Sequence, residues 1–382
     1  MTFLSKILET NNIRIEISCF ETEGGIREYN AVLHVVDTQE TFGAQLNNIR
    51  SAYSYLLSNL GHEVCPVFRR YFLSDAANQT EMLLAGEKGY PPCATSIVQQ
   101  PPLDGSKIAL WVYLCSGVEV TATDDGVAVD HNGLRHLWTV SQSTPEGSSH
   151  AQTDTLMRNY VARLAAEGCT LFNDCIRTWL FVRDVDVNYA GVVQARKALF
   201  RTCGLTEKTH YIASTGIEGR TADHRASVLM DVYSIKGLQP GQQQFLRALM
   251  HLSPTHEYGV TFERGVRVLY GDRSHIFISG TASIDNRGLI VAPGDIIAQT
   301  HRMFENVEAL LTEAGATLED IAQMIVYLRD TADYRRVETI VRERFGHIPS
   351  VITLAPVCRP GWLVETECIA LKQELNSSFK PF

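Results

Sequence analysis

The segment APVCRPGWLVETECIA, residues 355–370, concentrates side chains that can do acid–base and anion-binding chemistry. Cys358 and Arg359 precede a Pro-Gly bend, and Glu365 and Glu367 follow in an apolar stretch that is typical of a β-strand. Alternate residues of a strand share a face, so the two carboxylates would lie roughly 7 Å apart. On a partly buried face their repulsion raises the pKa of one carboxyl group, as a general acid requires. On an exposed face both are simply solvated.

Two further segments place small side chains at the ends of apolar strands. Gly280, Thr281 and Ala282 follow the apolar run IFIS, and small side chains there let a ligand approach the backbone closely. A bulge or tight bend without a ligand explains them equally well. Ser214 and Thr215, in HYIASTGIEG, offer hydroxyl and amide donors to a carboxylate, although turn capping also accounts for them.

Arg177 and Trp179 alternate in a predicted strand and therefore share a face. We expect a core tryptophan beside an arginine whose charged head reaches water. The alternative is that these two side chains together bind a planar anion. The histidines form no HExxH pattern, and neither GxGxxG nor GxxxxGK[ST] occurs, so we expect no metal and no nucleotide cradle.

Composition bounds the class of protein. The 382 residues are 45% hydrophobic and 20% charged, which suits a globular chain with a sizeable core. A net charge of −9 disfavours a nucleic-acid binder, because no basic excess exists to displace counterions. Nine scattered cysteines without a CxxC pair indicate reduced thiols, and no run is long and apolar enough to span a membrane. We expect a soluble cytoplasmic protein.

An internal repeat organises the chain. An amphipathic helix, a short strand ending in Asp, a second helix, a small-residue segment and a final apolar strand recur three times, with strand ends at Asp75, Asp184 and Asp330. Three such copies predict a pseudo-symmetric assembly in which each covers another's exposed sheet. Chance similarity among generic strand–helix units is the alternative. The predicted first module, second module, connector and third module are residues 1–125, 130–237, 238–258 and 259–374.

The third copy resembles the Rid/YjgF family, the reactive-intermediate deaminases also known as endoribonuclease L-PSP. The similarity is carried by HIFISGTASID, ENVEALLTEAGATLEDI, IVYLRD and VETECIA, and is specific from about residue 260 onward. It implies an α+β fold in which helices pack on one face of a mixed sheet. It also implies a pseudo-threefold, barrel-like assembly with ligand clefts between modules, here a monomeric pseudo-trimer that could associate further.

Within that superfamily the chain is similar to the chorismatases, which hydrolyse or rearrange chorismate, at HYIASTGIEG, ISGTASID and VCRPGWLVE. This resemblance implies that Glu365 is the catalytic acid and that Arg359 and Arg264 bind substrate carboxylates. Gly280 to Ala282 would form the wall of the site. We expect Cys358 to shape the pocket and not to act as a nucleophile, because no base is evident beside it.

The sequence departs from the Rid deaminases at one point. Those enzymes bind the substrate carboxylate through an arginine, and the matching positions here are Ala94, Ser214 and Val351, none of which can form a bidentate clamp. This loss favours a non-catalytic Rid-like ligand-binding or structural protein, or else an imine or enamine deaminase with a relocated arginine.

The first hypothesis is a chorismatase-like enzyme that acts on a small carboxylate-bearing molecule such as chorismate. It would cleave an enol ether and release pyruvate in a cleft between modules. The resemblance implies neither a metal nor an organic cofactor. A ribonuclease is disfavoured by the acidic balance of the chain.

Overall fold

The computed structural model describes residues 1–382 and every side chain except that of Lys88. The chain forms three six-stranded mixed sheets, each with its own helices. This confirms the predicted α+β class with three modules in one chain. None of the described helices is both long and apolar enough to cross a membrane.

The first sheet has the strand order β1-β2-β3-β6-β4-β5, in which only the β4–β5 pair is parallel. Thr41 caps helix α1 by accepting a hydrogen bond from the amide of Ala44. The elements are β1 (Thr2–Leu8), β2 (Ile13–Phe20), β3 (Glu28–Val35), α1 (Phe42–Leu60), β4 (Val64–Leu73), α2 (Ala76–Ala85), β5 (Ala94–Gln99) and β6 (Ile108–Ser116).

The second sheet repeats this order as β7-β8-β9-β12-β10-β11, with β10 and β11 parallel. Its first strand, β7, lies inside the predicted first module. The sequence did not reveal this strand because β7 is largely exposed and lacks the apolar alternation that marks a strand. The elements are β7 (Glu119–Thr123), β8 (Gly126–His131), β9 (Leu134–Ser143), α3 (Ser149–Ala166), α4 (Leu171–Asp174), β10 (Cys175–Val182), α5 (Val185–Thr202), β11 (Ala213–Glu218) and β12 (Val228–Lys236).

The third sheet has the order β13-β14-β15-β18-β16-β17, with β16 and β17 parallel. The predicted connector contains β13, which pairs with β14. Asp330, predicted as a strand end, instead caps the following turn, where it accepts from the Ala332 amide at 2.8 Å. The elements are β13 (Gln243–Leu246), β14 (Gly265–Leu269), β15 (Arg273–Ala282), α6 (Ile296–Glu313), β16 (Ile321–Leu328), α7 (Tyr334–Phe345), β17 (Ser350–Leu354) and β18 (Val364–Gln373).

The three sheets close into a ring. β5 lies against β9, β11 against β15, and β16 against β2 and β3, so every module contacts both others. Backbone hydrogen bonds cross the boundaries, such as the Glu263 amide to the Ile212 carbonyl at 3.0 Å and the Leu103 amide to the Ile352 carbonyl at 3.0 Å. Clefts therefore form between modules, where the parallel strand of one sheet meets the neighbouring sheet.

Each sheet has a helix-covered face and a face turned to a shared core. In β10, Leu180 and Val182 pack with residues of α3 and α5, whereas Trp179 and Phe181 join a core built from all three modules. This alternation follows from the two-residue period of a strand. It explains why these strands are apolar on both faces.

Candidate functional site

A cleft between the second and third modules brings most of the predicted site residues together. The second-module side of the cleft consists of α5 and β11. The third-module side consists of the segment that leads into β14, strand β15, the segment before β18, and the start of β18 with Glu365. Its polar and aromatic lining consists of Tyr189, Arg196, Ser214, Tyr258, Phe262, Arg264, Cys358, Arg359, Trp362 and Glu365, beside Gly216, Gly280 and Ala282.

Glu365 is buried in this cleft, with 4% of its surface exposed. Burial, together with the charge of Glu367, raises the pKa of the Glu365 carboxyl to about 8, against the opposing effect of Arg177 and Arg264. Gly280 makes room for the group, since a Cβ atom there would overlap Oε1 of Glu365. At neutral pH the cleft therefore contains a protonated carboxylic acid, which is the form that donates a proton.

Two buried arginines from different modules line the same cleft. Arg264 is 4% exposed and donates from Nη2 to the Ser253 carbonyl at 2.8 Å. Arg196 is 1% exposed and donates from Nη1 to Ser214 Oγ and from Nε to Thr261 Oγ1, both at 3.3 Å. Among the described side chains, neither guanidinium has a carboxylate partner within 4.0 Å.

Each of these arginines also keeps a buried nitrogen without a hydrogen-bond partner, Nε of Arg264 and Nη2 of Arg196. Buried polar groups are almost always hydrogen-bonded, so such orphans need an explanation. Arginines without a carboxylate are suited to an anionic ligand, because the planar fork matches a carboxylate. Burial lowers the pKa of Arg196, and an anion in the cleft would oppose that effect.

Arg359 and Cys358 occupy the edge of the cleft. Arg359 is exposed, and its Nη2 donates to the Tyr258 carbonyl at 3.3 Å. Burial and the nearby Glu365 raise the pKa of the Cys358 thiol to about 12. Cys358 is therefore a neutral thiol that packs against the site, and Arg359 lies at the rim and not at the floor.

Thr215 and Thr281 do not line the cleft but support it. The hydroxyl of Thr215 contacts Glu367 and accepts a hydrogen bond from the Gly280 amide at 2.9 Å. Thr281 donates to the Ser279 carbonyl at 2.9 Å. β15 shifts register between Ile278 and Thr281, so the small residues form a bulge and also a wall.

Glu367 shares a strand face with Glu365 but lies in the shared core. It accepts hydrogen bonds from Arg177 Nη2 and from Trp179 Nε1, both at 2.8 Å. The expectation that the head of Arg177 reaches water is wrong, because Arg177 is only 1% exposed. The positive charge of Arg177 is stabilised in the core by the carboxylate of Glu367, which belongs to the neighbouring module.

Aromatic side chains close the cleft. Tyr258, in the predicted connector, meets Trp362 edge-on at 6.4 Å between ring centroids, and the guanidinium of Arg264 lies 5.3 Å from the Tyr258 ring centroid. The enclosed space is about 20 Å³, room for about one water molecule. A substrate-sized molecule does not fit this enclosed space unless lining side chains move.

The sequence-based prediction missed Arg196, Tyr189, Tyr258 and Trp362. Arg196 lies on the buried stripe of α5, beside Val192 and Leu199. An arginine within an apolar helical stripe is the signal that could have identified it. Among the described residues, no three His, Cys, Asp or Glu side chains converge to hold a metal ion.

Comparison with known proteins gives two kinds of similarity. Residues 263–372 match the Endoribonuclease L-PSP family. A RutC family protein of Pyrococcus abyssi is 37% identical over 100 residues, which are 26% of this chain and 79% of that protein, and one of Pyrococcus horikoshii is 34% identical over the same shares. A crystal structure of a chorismatase matches 80% of this chain and 92% of its own, at 17% identity and a TM-score of 0.62. At that identity, the structural match shows a shared fold.

Proposed function

Because the chain belongs to the Rid/YjgF superfamily and shares the fold of a chorismatase, we propose that it is a chorismatase-like enzyme. It would cleave the enol ether of a carboxylate-bearing substrate such as chorismate and release pyruvate. The observation that carries this proposal is the pairing of a protonated, buried Glu365 with two buried arginines that have no carboxylate partner.

The arginines supply the binding step. Chorismate carries two carboxylates, one on the ring and one on the enolpyruvyl group, and the cleft offers Arg196 from the second module and Arg264 from the third. Each has an unused buried N–H donor. A charge-assisted bond to each would hold the substrate across the module boundary, so both modules are needed for one site.

Glu365 supplies the chemical step. Its carboxyl proton is transferred to the methylene carbon of the enol ether, which leaves positive charge on the ether carbon and oxygen. A water molecule adds to that carbon, and the Glu365 carboxylate takes up the proton that the water loses. Glu365 then donates this proton to the ring oxygen as the hemiketal breaks its bond to that oxygen, and the Glu365 carboxylate takes the proton of the hemiketal hydroxyl, giving pyruvate and a ring alcohol, so chorismate and one water are consumed.

The closed cleft favours this chemistry. In a dry site the neutral form of Glu365 is preferred, and the arginine charges act at low effective dielectric. The thiol of Cys358 stays protonated and packs beside the reacting group. Arg359, which donates a hydrogen bond to the Tyr258 carbonyl, would keep the Tyr258 segment in place over the bound substrate.

The test is to incubate the purified protein with chorismate and to follow pyruvate release. We expect Glu365→Gln to lower the rate by about 10²- to 10⁴-fold, the usual contribution of a general acid. Glu343→Gln, an exposed carboxylate on α7, is the matched control and should keep the wild-type rate. Circular dichroism confirms that both variants fold. A wild-type protein that releases no pyruvate would overturn the proposal.

One observation favours a second candidate function. Arg196 donates to Ser214, the position that matches the carboxylate-binding arginine of the Rid deaminases. Its guanidinium could therefore serve as the relocated arginine of an imine deaminase. Ammonia release from an enzymatically generated imine, without pyruvate release from chorismate, would favour this candidate. Activity in neither assay would favour a non-catalytic binding protein.

A further inference from the structure

The bulge in β15 releases two backbone amides beside the Glu365 carboxyl group. The pairing of β15 with β18 shifts register at Ser279 and Gly280, so both residues lie outside the regular ladder. Buried amides nearly always have an acceptor, and each of these two has one outside the ladder. The Ser279 amide donates to the Arg264 carbonyl at 2.9 Å, and the Gly280 amide donates to Thr215 Oγ1 at 2.9 Å.

The backbone of Gly280 packs directly against the Glu365 carboxyl group. A Cβ atom on Gly280 would overlap Oε1 of Glu365, so no side chain separates the two. Among the described residues, none forms a hydrogen bond with the Glu365 carboxyl group. An amide donor pointing at this group would stabilise its ionised form, because a hydrogen bond to a carboxylate lowers its pKa. The direction of the Gly280 amide therefore matters for the acid.

Thr215 holds the Gly280 amide in a different bond. Thr215 is 1% exposed and belongs to β11 of the second module. Its hydroxyl donates to the Glu367 carboxylate and accepts from Arg177 and from the Gly280 amide. A hydroxyl has one donor proton and two lone pairs, so all of its hydrogen-bonding capacity is used. Such a hydroxyl fixes the orientation of the bulge.

We propose that Thr215 is a positioning residue for the acid in the Glu365 cleft. By accepting a hydrogen bond from the Gly280 amide, it withholds from Glu365 a backbone donor that would stabilise the ionised carboxylate, and so keeps the carboxyl group protonated at neutral pH. This inference rests on the proposed role of Glu365 as a general acid. It adds a residue of the second module that does not line the cleft.

Other groups around Glu365 act on its ionisation in both directions. The charge of Glu367 disfavours the carboxylate, whereas Arg177 and Arg264 favour it. Burial raises the pKa of the nearby tyrosines and of the thiol, so these are neutral at neutral pH. The remaining charged or titratable side chains around Glu365 are Tyr189, Arg196, Tyr258, Tyr327, Cys358 and Arg359. Because Thr215 also bonds to Glu367, the test separates an effect through Glu367 from one through Gly280.

The test is a pH titration of the Glu365 carboxyl group by infrared spectroscopy, with its protonated band assigned by loss in Glu365→Gln. Thr215→Val removes the hydroxyl at nearly constant volume and frees the Gly280 amide to donate to Glu365. We expect the titration midpoint to fall by about 1–2 pH units, the effect of one backbone hydrogen bond to a carboxylate. Thr215→Ala, which avoids any crowding by valine, should give the same fall, and Thr215→Ser should restore the wild-type midpoint.

Two control variants isolate the Gly280 amide. Thr281→Val removes a hydroxyl of the same bulge that donates to the Ser279 carbonyl. Trp179→Phe removes a donor from Glu367 but leaves the bond between Thr215 and Gly280 intact. Both should keep the wild-type midpoint. An unchanged midpoint in Thr215→Val and Thr215→Ala, or an equal fall in either control, would overturn the proposal.

The pyruvate assay separates this proposal from the proposed function. If the protein cleaves chorismate, the pH above which kcat/KM falls should move down in Thr215→Val together with the infrared midpoint. If it releases no pyruvate, the proposed reaction is wrong, and the infrared titration still decides the role of Thr215.

Discussion

Glu365 and Glu367 show how two identical side chains on one strand face acquire different roles. Glu367 receives hydrogen bonds from Arg177 and Trp179 of the neighbouring module, and these stabilise its charge inside the core. Glu365 is equally buried but has no arginine within salt-bridge distance, so desolvation dominates and its neutral form prevails. The local environment, and not the residue type, therefore raises the pKa of Glu365.

The raised pKa of Glu365 predicts the pH dependence of the proposed reaction. Glu365 must be protonated to act, so kcat/KM for chorismate should be constant below about pH 8 and fall about tenfold per pH unit above it. Measuring pyruvate release from about pH 5 to about pH 10 checks this. A rate that rises through that range would mean that Glu365 acts as a base or has no part in the reaction.

At the scale of elements, β18 is fixed in place by β10 of another module. Arg177 and Trp179 of β10 hold Glu367, and the Thr215 hydroxyl on β11 contacts the same carboxylate. This polar cluster lies directly behind the wall of the cleft that contains Glu365. The geometry of the cleft therefore depends on a buried ion pair that does not line it.

Glu367→Gln should destabilise the protein by about 3–5 kcal/mol, because it leaves the buried guanidinium of Arg177 without its counter-charge. Urea denaturation measures the free energy of unfolding. Glu305→Gln, which removes an exposed carboxylate paired with Arg302, is the control and should cause a much smaller loss. Equal losses in the two variants would show that the buried pair has no special structural role.

For the whole molecule, the modules share one core and are not three independent domains. The ring of Phe68 lies 4.9 Å from that of Trp111 in its own module, and 5.0 Å and 6.3 Å from those of Trp138 and Trp179 in the second. No module can retain this packing without its neighbours. The clefts exist only because the ring is closed.

A shared core predicts cooperative unfolding. Tryptophan fluorescence and far-UV circular dichroism should give one coincident transition in urea, because loss of one module exposes the core of the others. Phe68→Ala should shift that transition by about 3–5 kcal/mol without splitting it, since the cavity forms where the modules meet. Two separated transitions would indicate modules that unfold independently.

The sequence by itself determined the repeat and the strand that carries Glu365. These depend on local periodicity, because a period of 3.6 or 2 residues dictates which face of a helix or strand is buried. The α+β class came from the resemblance of the third copy to the Rid/YjgF family. The sequence also brought Cys358, Arg359 and Glu365 into one segment. Exposed elements with little apolar pattern, such as β7 and β13, escaped it for the same reason.

Only the tertiary structure decided which side chains meet. Arg196 of α5 and Tyr258 of the predicted connector line the same cleft as Glu365 because the second and third modules close on each other, and no local pattern encodes that arrangement. The same closure places Glu365 in the cleft and Glu367 in the shared core. It also forms a second cleft, between the third and first modules, beside His34. A site between modules is built by long-range packing, so its members are far apart in the chain and adjacent only once the ring is complete.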